Sequence, residues 1–485
     1  MLKKIALWTL GIIAVLALVL WFVTRPDTAD LALAETAGPY PTLAKPDAET
    51  IPTVVIAEPI GWKANEAPTP APGLTVTRFA SGLAHPRTIY SLPNGDVLVA
   101  ETNSQPRPAK GIEGLVMKWL LGSAGAGVPS ADRIQLLRDA DGDGRAEQKY
   151  LFRDGLKSPF GMALRETPEG TQLLIANTDA VLSFPFKLGD TRLTGQPTKL
   201  MDLPGNGNHW ARNLILSPES SKLYVSVGSA SNIAEKGIDK ETGRAAIHEY
   251  DFAKKSRRIF SAGLRNPNGM DWNPASGELW TVVNERDMLG SDLVPDYLTN
   301  VPFGSHYGWP WIYWKDNLDM RVEEPAPEYT LNYIRKPEYA LGSHTAPLGL
   351  VFAHGGHRLG PSFANGAFVA RHGSWNRKPL AGYDVVFVAF DARGNVLKRK
   401  PVPVLTGFLT GDGKTRGRPT WVAWAKDGAL LVSDDTAGII WRVIAPGATP
   451  SPAIEPVPST STGNRVELPE GLKGEIAPPT EIFKN

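Results

Sequence analysis

Basic and imidazole side chains recur at one kind of place in this sequence, the short Gly- or Pro-marked turns that lead into apolar runs. His209 lies in Gly-Asn-Gly-Asn-His209-Trp-Ala-Arg212, and Arg265-Asn266 lies in Gly-Leu-Arg-Asn-Pro-Asn-Gly. Arg371-His372 and Arg377-Lys378 share Ala-Arg-His-Gly-Ser-Trp-Asn-Arg-Lys, and Arg416 and Arg418 share Lys-Thr-Arg-Gly-Arg-Pro. Several arginines converging on one place would bind a polyanion, because the guanidinium fork matches a carboxylate bidentately. A histidine beside them can take a proton near neutral pH. The competing reading is that each arginine ties neighbouring structural units together.

A separate acidic motif, Asp139-Ala-Asp141-Gly-Asp143-Gly-Arg-Ala-Glu147, puts carboxylates at the first, third and fifth positions and glycine at the sixth, as at the start of a calcium loop. Tyr150 stands where such a loop carries its bidentate glutamate, so a solvated acidic turn is the alternative. Other chemistries are absent. There is no Gly-x-Ser-x-Gly elbow, no Gly-x-Gly-x-x-Gly after a strand, and Gly413-Lys-Thr415 lacks the first glycine of a phosphate loop. His354 and His357 form an isolated pair in a Gly-rich turn.

The elements that must position these turns repeat six times: a small or Gly-led turn, usually a proline, an apolar strand, a second turn and a second apolar strand. The second strands begin at Asp96, Gln172, Lys222, Glu278, Gly366 and Ala429. Such runs closed by Asn-Gly, Glu-Gly or Asp-Gly read as hairpins. No long amphipathic helical stretch separates them, so the fold class is all-β, a six-bladed β-propeller of roughly 60 residues per unit, with the surplus in loops. Leu74–Phe79 is expected to close the ring against Ile439–Val443.

Composition agrees. The 485 residues carry 51 Lys+Arg against 50 Asp+Glu, without the basic excess of a nucleic-acid-coating protein. With no cysteine, disulfides, Cys-ligated metal and covalently attached c-type haem are excluded. Glycine (48), proline (42) and tryptophan (14) suit a turn-rich β fold with large apolar anchors. Lys3 and Lys4 precede an uncharged run, Ile5–Val23, about 28 Å long as a helix. That predicts a single N-terminal transmembrane helix or an export signal over 1–24, with the remainder on the periplasmic face of the membrane. Residues 25–73 read as a spacer with one docked segment around Trp62, 74–443 as the propeller and 444–485 as a Pro-rich, mostly unstructured tail.

The propeller region resembles the pyrroloquinoline quinone (PQQ) dependent sugar dehydrogenases of the soluble glucose dehydrogenase and L-sorbosone dehydrogenase family. The resemblance rests on Leu-Pro-Asn-Gly-Asp-Val-Leu-Val-Ala-Glu101-Thr, Asn208-His209-Trp-Ala-Arg212, Gly263-Leu-Arg265-Asn266-Pro-Asn-Gly, His306-Tyr-Gly-Trp-Pro and His372-Gly-Ser-Trp-Asn-Arg377. It implies that His209 is the base that takes the sugar hydroxyl proton, and that Arg265 and Asn266 polarise the reactive quinone carbonyl. It also implies that Arg416 and Arg418 hold cofactor carboxylates, with Arg377 and Lys378 as candidates for the family's cofactor lysine, and that calcium bridges PQQ to the protein. The family's calcium loop often reads Glu-x-Gly-Pro; here it is Glu285-Arg286-Asp287-Met288, making Glu285 and Asp287 metal candidates beside Asp139, Asp141, Asp143 and Glu147. The substrate implied is an aldose, sugar aldehyde or related polyol, with electrons passing to an external membrane quinone or cytochrome. Trp309, Trp311, Trp375 and Trp421 are either blade-packing anchors or stacking surfaces. The rivals are a calcium-dependent lactonase on a similar propeller and a carbohydrate-binding envelope propeller without catalysis.

Overall fold

An apolar run with no polar alternation can be buried only if both faces of its sheet are covered. The second strands have this character: Val97–Glu101 and Leu279–Val283 are buried at every position. A computed structural model describing residues 8–15, 18, 26–106, 122–123 and 127–457 shows how both faces are covered. Six antiparallel sheets follow one another along the chain, each with four strands in meander order at its heart. Their first strands are Pro86–Ser91, Met162–Thr167, Leu214–Leu216, Pro267–Trp272, Pro347–Phe352 and Pro419–Trp424, and first strands of neighbouring blades pack together from blade 2 onward round to blade 1.

The core lies between blades. Along the second strand of blade 1, Val97 and Val99 join the cluster shared with blade 6, while Leu98 and Ala100 join the cluster shared with blade 2. In blade 2, Leu173 and Ile175 face back to blade 1, and Leu174 and Ala176 face blade 3. The period of two divides each strand's side chains between two interfaces. The ring closes as expected: Thr75–Ala80 pairs antiparallel with Ile439–Ile444, so the chain's early and late strands complete blade 6. Close approach near the axis requires a missing side chain at Gly349, where a Cβ would lie 2.6 Å from the Trp421 Cα of the next blade.

Two boundary expectations meet a different structure. The stretch from 26 to 73 is no loose spacer: Ala37–Gly38 adds a fifth strand to blade 4 and Thr69–Pro70 one to blade 5, because both sheet edges offer unpaired backbone groups. The start of the C-terminal tail is also docked, with the Ser451 carbonyl accepting from Gly356 N–H (2.9 Å) and Val457 N–H donating to the Ala275 carbonyl (2.7 Å). Its portion from 458 lies outside the described residues. So does most of the expected membrane segment (1–7, 16–17 and 19–24); residues 8–15 are helical, and no helix among the described residues is long and apolar enough to cross a membrane.

Candidate active site

Turns that precede the first strands and turns that follow the second strands lie at the same end of an antiparallel meander, so both sets gather at one end of the ring. Here a cavity of about 350 Å³ opens, lined among others by Arg87, His209, Arg265, Asn266, Glu285, Asp287, Asp296, His344, His372, Trp375 and Arg418. The convergence expected for His209, Arg265, Asn266 and Arg418 is therefore present.

His209 sits in the connection from blade 2 to blade 3. The fully buried Arg212 organises that loop by donating to the carbonyls of His209 (2.9 Å), Ala211 (2.9 Å) and Pro204 (2.7 Å). The His209 Nδ1 lies 2.9 Å from the Ser229 carbonyl, which can only accept, so Nδ1 carries the proton. The Ser229 hydroxyl donates to the Ser231 carbonyl (2.6 Å) and turns a lone pair toward the same Nδ1 at 3.0 Å. The proton is thereby fixed on Nδ1 and Nε2 keeps its lone pair. Burial, and then the Arg265 charge, push the His209 pKa down to about 3, so the imidazole is neutral. The absent side chain of Gly228 makes room for it: a Cβ there would lie 2.6 Å from the His209 Cβ and 2.4 Å from Asn266 Oδ1.

Arg265 enters from the turn between blades 3 and 4. Its guanidinium donates to Asn232 Oδ1 (2.8 Å), Asp287 Oδ2 (2.9 Å) and the backbone carbonyls of Asn232, Asn284 and Glu285. It thus holds a fixed positive charge in place and clamps the Glu285–Asp287 turn. Asp287 also faces His344 Nδ1 at 3.5 Å. Its carboxyl stays below the ordinary value although burial opposes this, because Arg265 and His344 flank it. Asp296 accepts from the backbone N–H of Glu285 and Ala346, both at 2.7 Å, and burial raises its pKa to about 7. Asn266 Oδ1 is buried without a hydrogen-bond partner.

On the other wall, the buried Asp435 accepts from Arg87 Nη1 (2.5 Å) and His372 Nε2 (2.9 Å). Arg418 differs. Its guanidinium donates to the carbonyls of His372 (3.1 Å) and Gly373 (3.0 Å), stacks over Tyr383 and makes no ion pair among the described residues. A cation partnered only by carbonyls is the natural receptor for a ligand carboxylate.

Two expectations need correction. Arg416 points away from the cavity, over the Trp62 ring and 3.7 Å from Glu66, because the chain bends at Arg416 and leaves the extended course in which residues two apart share a face. Arg377 is buried against Asp292, Ser291 and Leu31, a structural tie, and Lys378 is exposed beside it and does not line the cavity. Asp139, Asp141, Asp143 and Glu147 gather as the calcium-loop motif requires, their ligand oxygens within 4.8 Å of one another, on an exposed turn of blade 1 apart from this cavity. Glu285 and Asp287 line the cavity, and the carbonyls of their loop are engaged: Glu285 by Arg265, Asp287 by Asn232 and Arg321, and Met288 by Arg321. Of the tryptophans, Trp375 lines the cavity and is 41% exposed, whereas Trp309 and Trp421 are buried packing residues. Arg87, His344, Asp296 and Asp435 were not singled out in the sequence. Arg87 had a signal, since it follows Pro86 in the same repeated turn that carries Arg265 and Arg418.

Comparison with known proteins extends these findings. A family model described as TrAA12-like matches residues 133–300 and 326–445. An uncharacterized protein of Borreliella burgdorferi is 31% identical over 50% of this chain and 62% of its own length. The pyrroloquinoline quinone-dependent pyranose dehydrogenase of Coprinopsis cinerea is 27% identical over 58% of this chain, which spans 46% of that protein. The holo pyranose dehydrogenase PQQ domain from Coprinopsis cinerea superimposes with a TM-score of 0.60 at 22% identity, covering 80% of this chain and 100% of that domain, a likeness of fold. With the family match spanning more than half of the sequence and lying on the propeller that builds the cavity, the chain belongs to the TrAA12-like family.

Proposed function

We propose that this protein is a PQQ-dependent dehydrogenase of an aldose, sugar aldehyde or related polyol. The observation that carries the reading is the pairing, in one cavity, of a neutral histidine whose Nε2 lone pair is free with an arginine that has no acidic partner. The cavity falls in the usual range of small-molecule sites, about 300–1,000 Å³. The names of two curated relatives, both pyrroloquinoline quinone-dependent, support the choice of cofactor.

The residues fit the quinone. Arg418, with Arg87 beside it, would hold its carboxylates, and the unpartnered Asn266 Oδ1 is a polar contact the protein itself does not satisfy. Bound PQQ would supply the two-electron acceptor to which the substrate carbon gives its hydride. His209 Nε2 takes the hydroxyl proton, its orientation set through Nδ1 by Ser229. Arg265, held by its ring of acceptors, puts a fixed positive charge where negative charge develops. Calcium, if bound here, would draw on the carboxylates of Glu285, Asp287 and Asp296, since the loop carbonyls already accept hydrogen bonds. With no cysteine to hold a c-type haem or an iron–sulfur cluster, the electrons would pass to an external acceptor, and the uncharged Ile5–Val23 run would hold the protein at the periplasmic face of a membrane near one.

A metal-dependent lactonase would use the same carboxylates, but it gives no role to Arg418, a cation held by backbone carbonyls and paired with no carboxylate among the described residues. The test is dye-linked oxidation of an aldose and sugar-aldehyde panel by the full chain, with PQQ and calcium together and with each omitted. Turnover that vanishes without PQQ is expected; lactone hydrolysis, or sugar oxidation indifferent to PQQ, would contradict the proposal.

A further inference from the structure

The stretch from Asp27 to Trp62 crosses blades 4, 5 and 6 at the cavity end of the ring and touches each loop that carries a cavity residue there. At blade 4, Asp47 and Glu49 donate backbone N–H groups to the carbonyls of Leu289 and Met288 (both 3.2 Å), and Asp27 Oδ2 accepts from Ser291 N–H (2.6 Å). At blade 5, Val55 N–H donates to the Trp375 carbonyl (2.9 Å). At blade 6, Trp62 Nε1 donates to Asp434 Oδ2 (2.9 Å), and Asp434 Oδ1 accepts from Arg418 N–H (2.8 Å).

Asn376 is the node. It is fully buried; its Oδ1 accepts from Met288 N–H (2.8 Å), and its Nδ2 donates to Glu49 Oε2 (3.0 Å) and to the Thr53 carbonyl (2.7 Å). One amide therefore ties together the turn bearing Glu285 and Asp287, the turn bearing Trp375, and the strap. Glu49 is itself held by Thr53 N–H on its other oxygen (3.0 Å). If the strap served only for stability, its sheet-edge strand Ala37–Gly38 would be enough; nothing would require buried side-chain bonds aimed at the cavity loops.

We propose that this strap is part of the active site, with Glu49 and Asn376 as positioning residues that set the cavity wall carrying Asp287 and Trp375. The inference rests on the proposed dehydrogenase reading for its kinetic consequence but not for its structural one. The test uses the full chain with Glu49→Ala, Asn376→Ala and the conservative Glu49→Gln, which keeps an acceptor for Asn376. Lys400→Ala is the control, since Lys400 Nζ holds the Ala37 carbonyl at the sheet edge away from the cavity (2.7 Å).

Without cofactor or sugar, amide exchange at Met288 should quicken about tenfold or more in Glu49→Ala and Asn376→Ala, and not in Lys400→Ala, with local opening eased by more than about 1.4 kcal/mol. With PQQ and sugar, KM should rise at least about fivefold while kcat changes little, and Glu49→Gln should recover most of the loss. Exchange at Met288 unchanged in both alanine variants would overturn the proposal. So would a fall in thermal stability equal to the control's with wild-type KM. A wild-type chain that oxidises no sugar would instead sink the dehydrogenase reading, leaving the exchange result to decide the strap.

Discussion

Replacing His209 with alanine is expected to lower kcat/KM for sugar oxidation by about 10²–10⁴-fold, the usual contribution of a positioned general base, with cofactor affinity close to wild type. The reasoning is local. Ser229 fixes the proton on Nδ1, so the only lone pair of the ring is on Nε2, and nothing else in the blade 2 to blade 3 loop can replace it. The pH profile follows with a definite sign. A base works only when unprotonated, and burial together with Arg265 lowers the His209 pKa to about 3. The acid limb set by His209 should therefore lie near that value, well below the titration of Asp296 near 7 in the same cavity. A limb between about 6 and 7 that persists in Asp296→Asn would show that His209 is not the base or that the cavity is far wetter than its geometry implies.

The second large effect separates two arginines that the sequence treats alike. Arg418→Met is expected to weaken PQQ binding by about 2–5 kcal/mol, roughly 30-fold to several thousand-fold, because it removes a charge-assisted partner from a desolvated site. Methionine keeps apolar volume against Tyr383, and no protein carboxylate loses an ion pair. Arg416→Met should leave binding nearly unchanged, since its guanidinium lies over Trp62 on the far side of the turn. Fluorescence titration of both variants with PQQ checks this. Equal losses, or a loss confined to Arg416→Met, would overturn the assignment of the cavity. Arg87→Met is a poorer probe: it strands the buried Asp435 charge, and breaking such a pair costs about 3–5 kcal/mol of stability.

Much of this was legible in the sequence, for a physical reason. Strands buried on both faces must be apolar throughout, and the turns between them must carry Gly or Pro, so the six runs and the closure of Thr75–Ala80 on Ile439–Ile444 are visible in residue types alone. His209, Arg265 and Arg418 were also visible, because each stands in a Gly-marked turn within a few residues of the start of a first strand. What failed was anything set by side-chain direction. Arg416 and Arg418 are two apart in a turn, and only the local backbone decides that one faces the cavity and the other Trp62. Arg377 read as a candidate ligand because burial against Asp292 cannot be seen from its neighbours in sequence. The strap was misread because Pro-, Ala- and Thr-rich stretches look alike whether free or docked; its bonds to Met288, Trp375 and Asp434 reach across the chain. His344, Asp296 and Asp435 lack any motif and become site residues only through the ring.

The central claim is that this cavity holds the quinone with His209 placed to deprotonate the substrate. It is tested most directly by anaerobic single turnover: the full chain loaded with PQQ and calcium is mixed with an aldose while the quinone absorbance is followed. The account predicts conversion of one bound quinone per chain to its reduced form in the wild type, and bound but unreduced quinone in His209→Ala over the same time. Rapid reduction in the variant, or no stoichiometric binding of PQQ in the wild type, would contradict it.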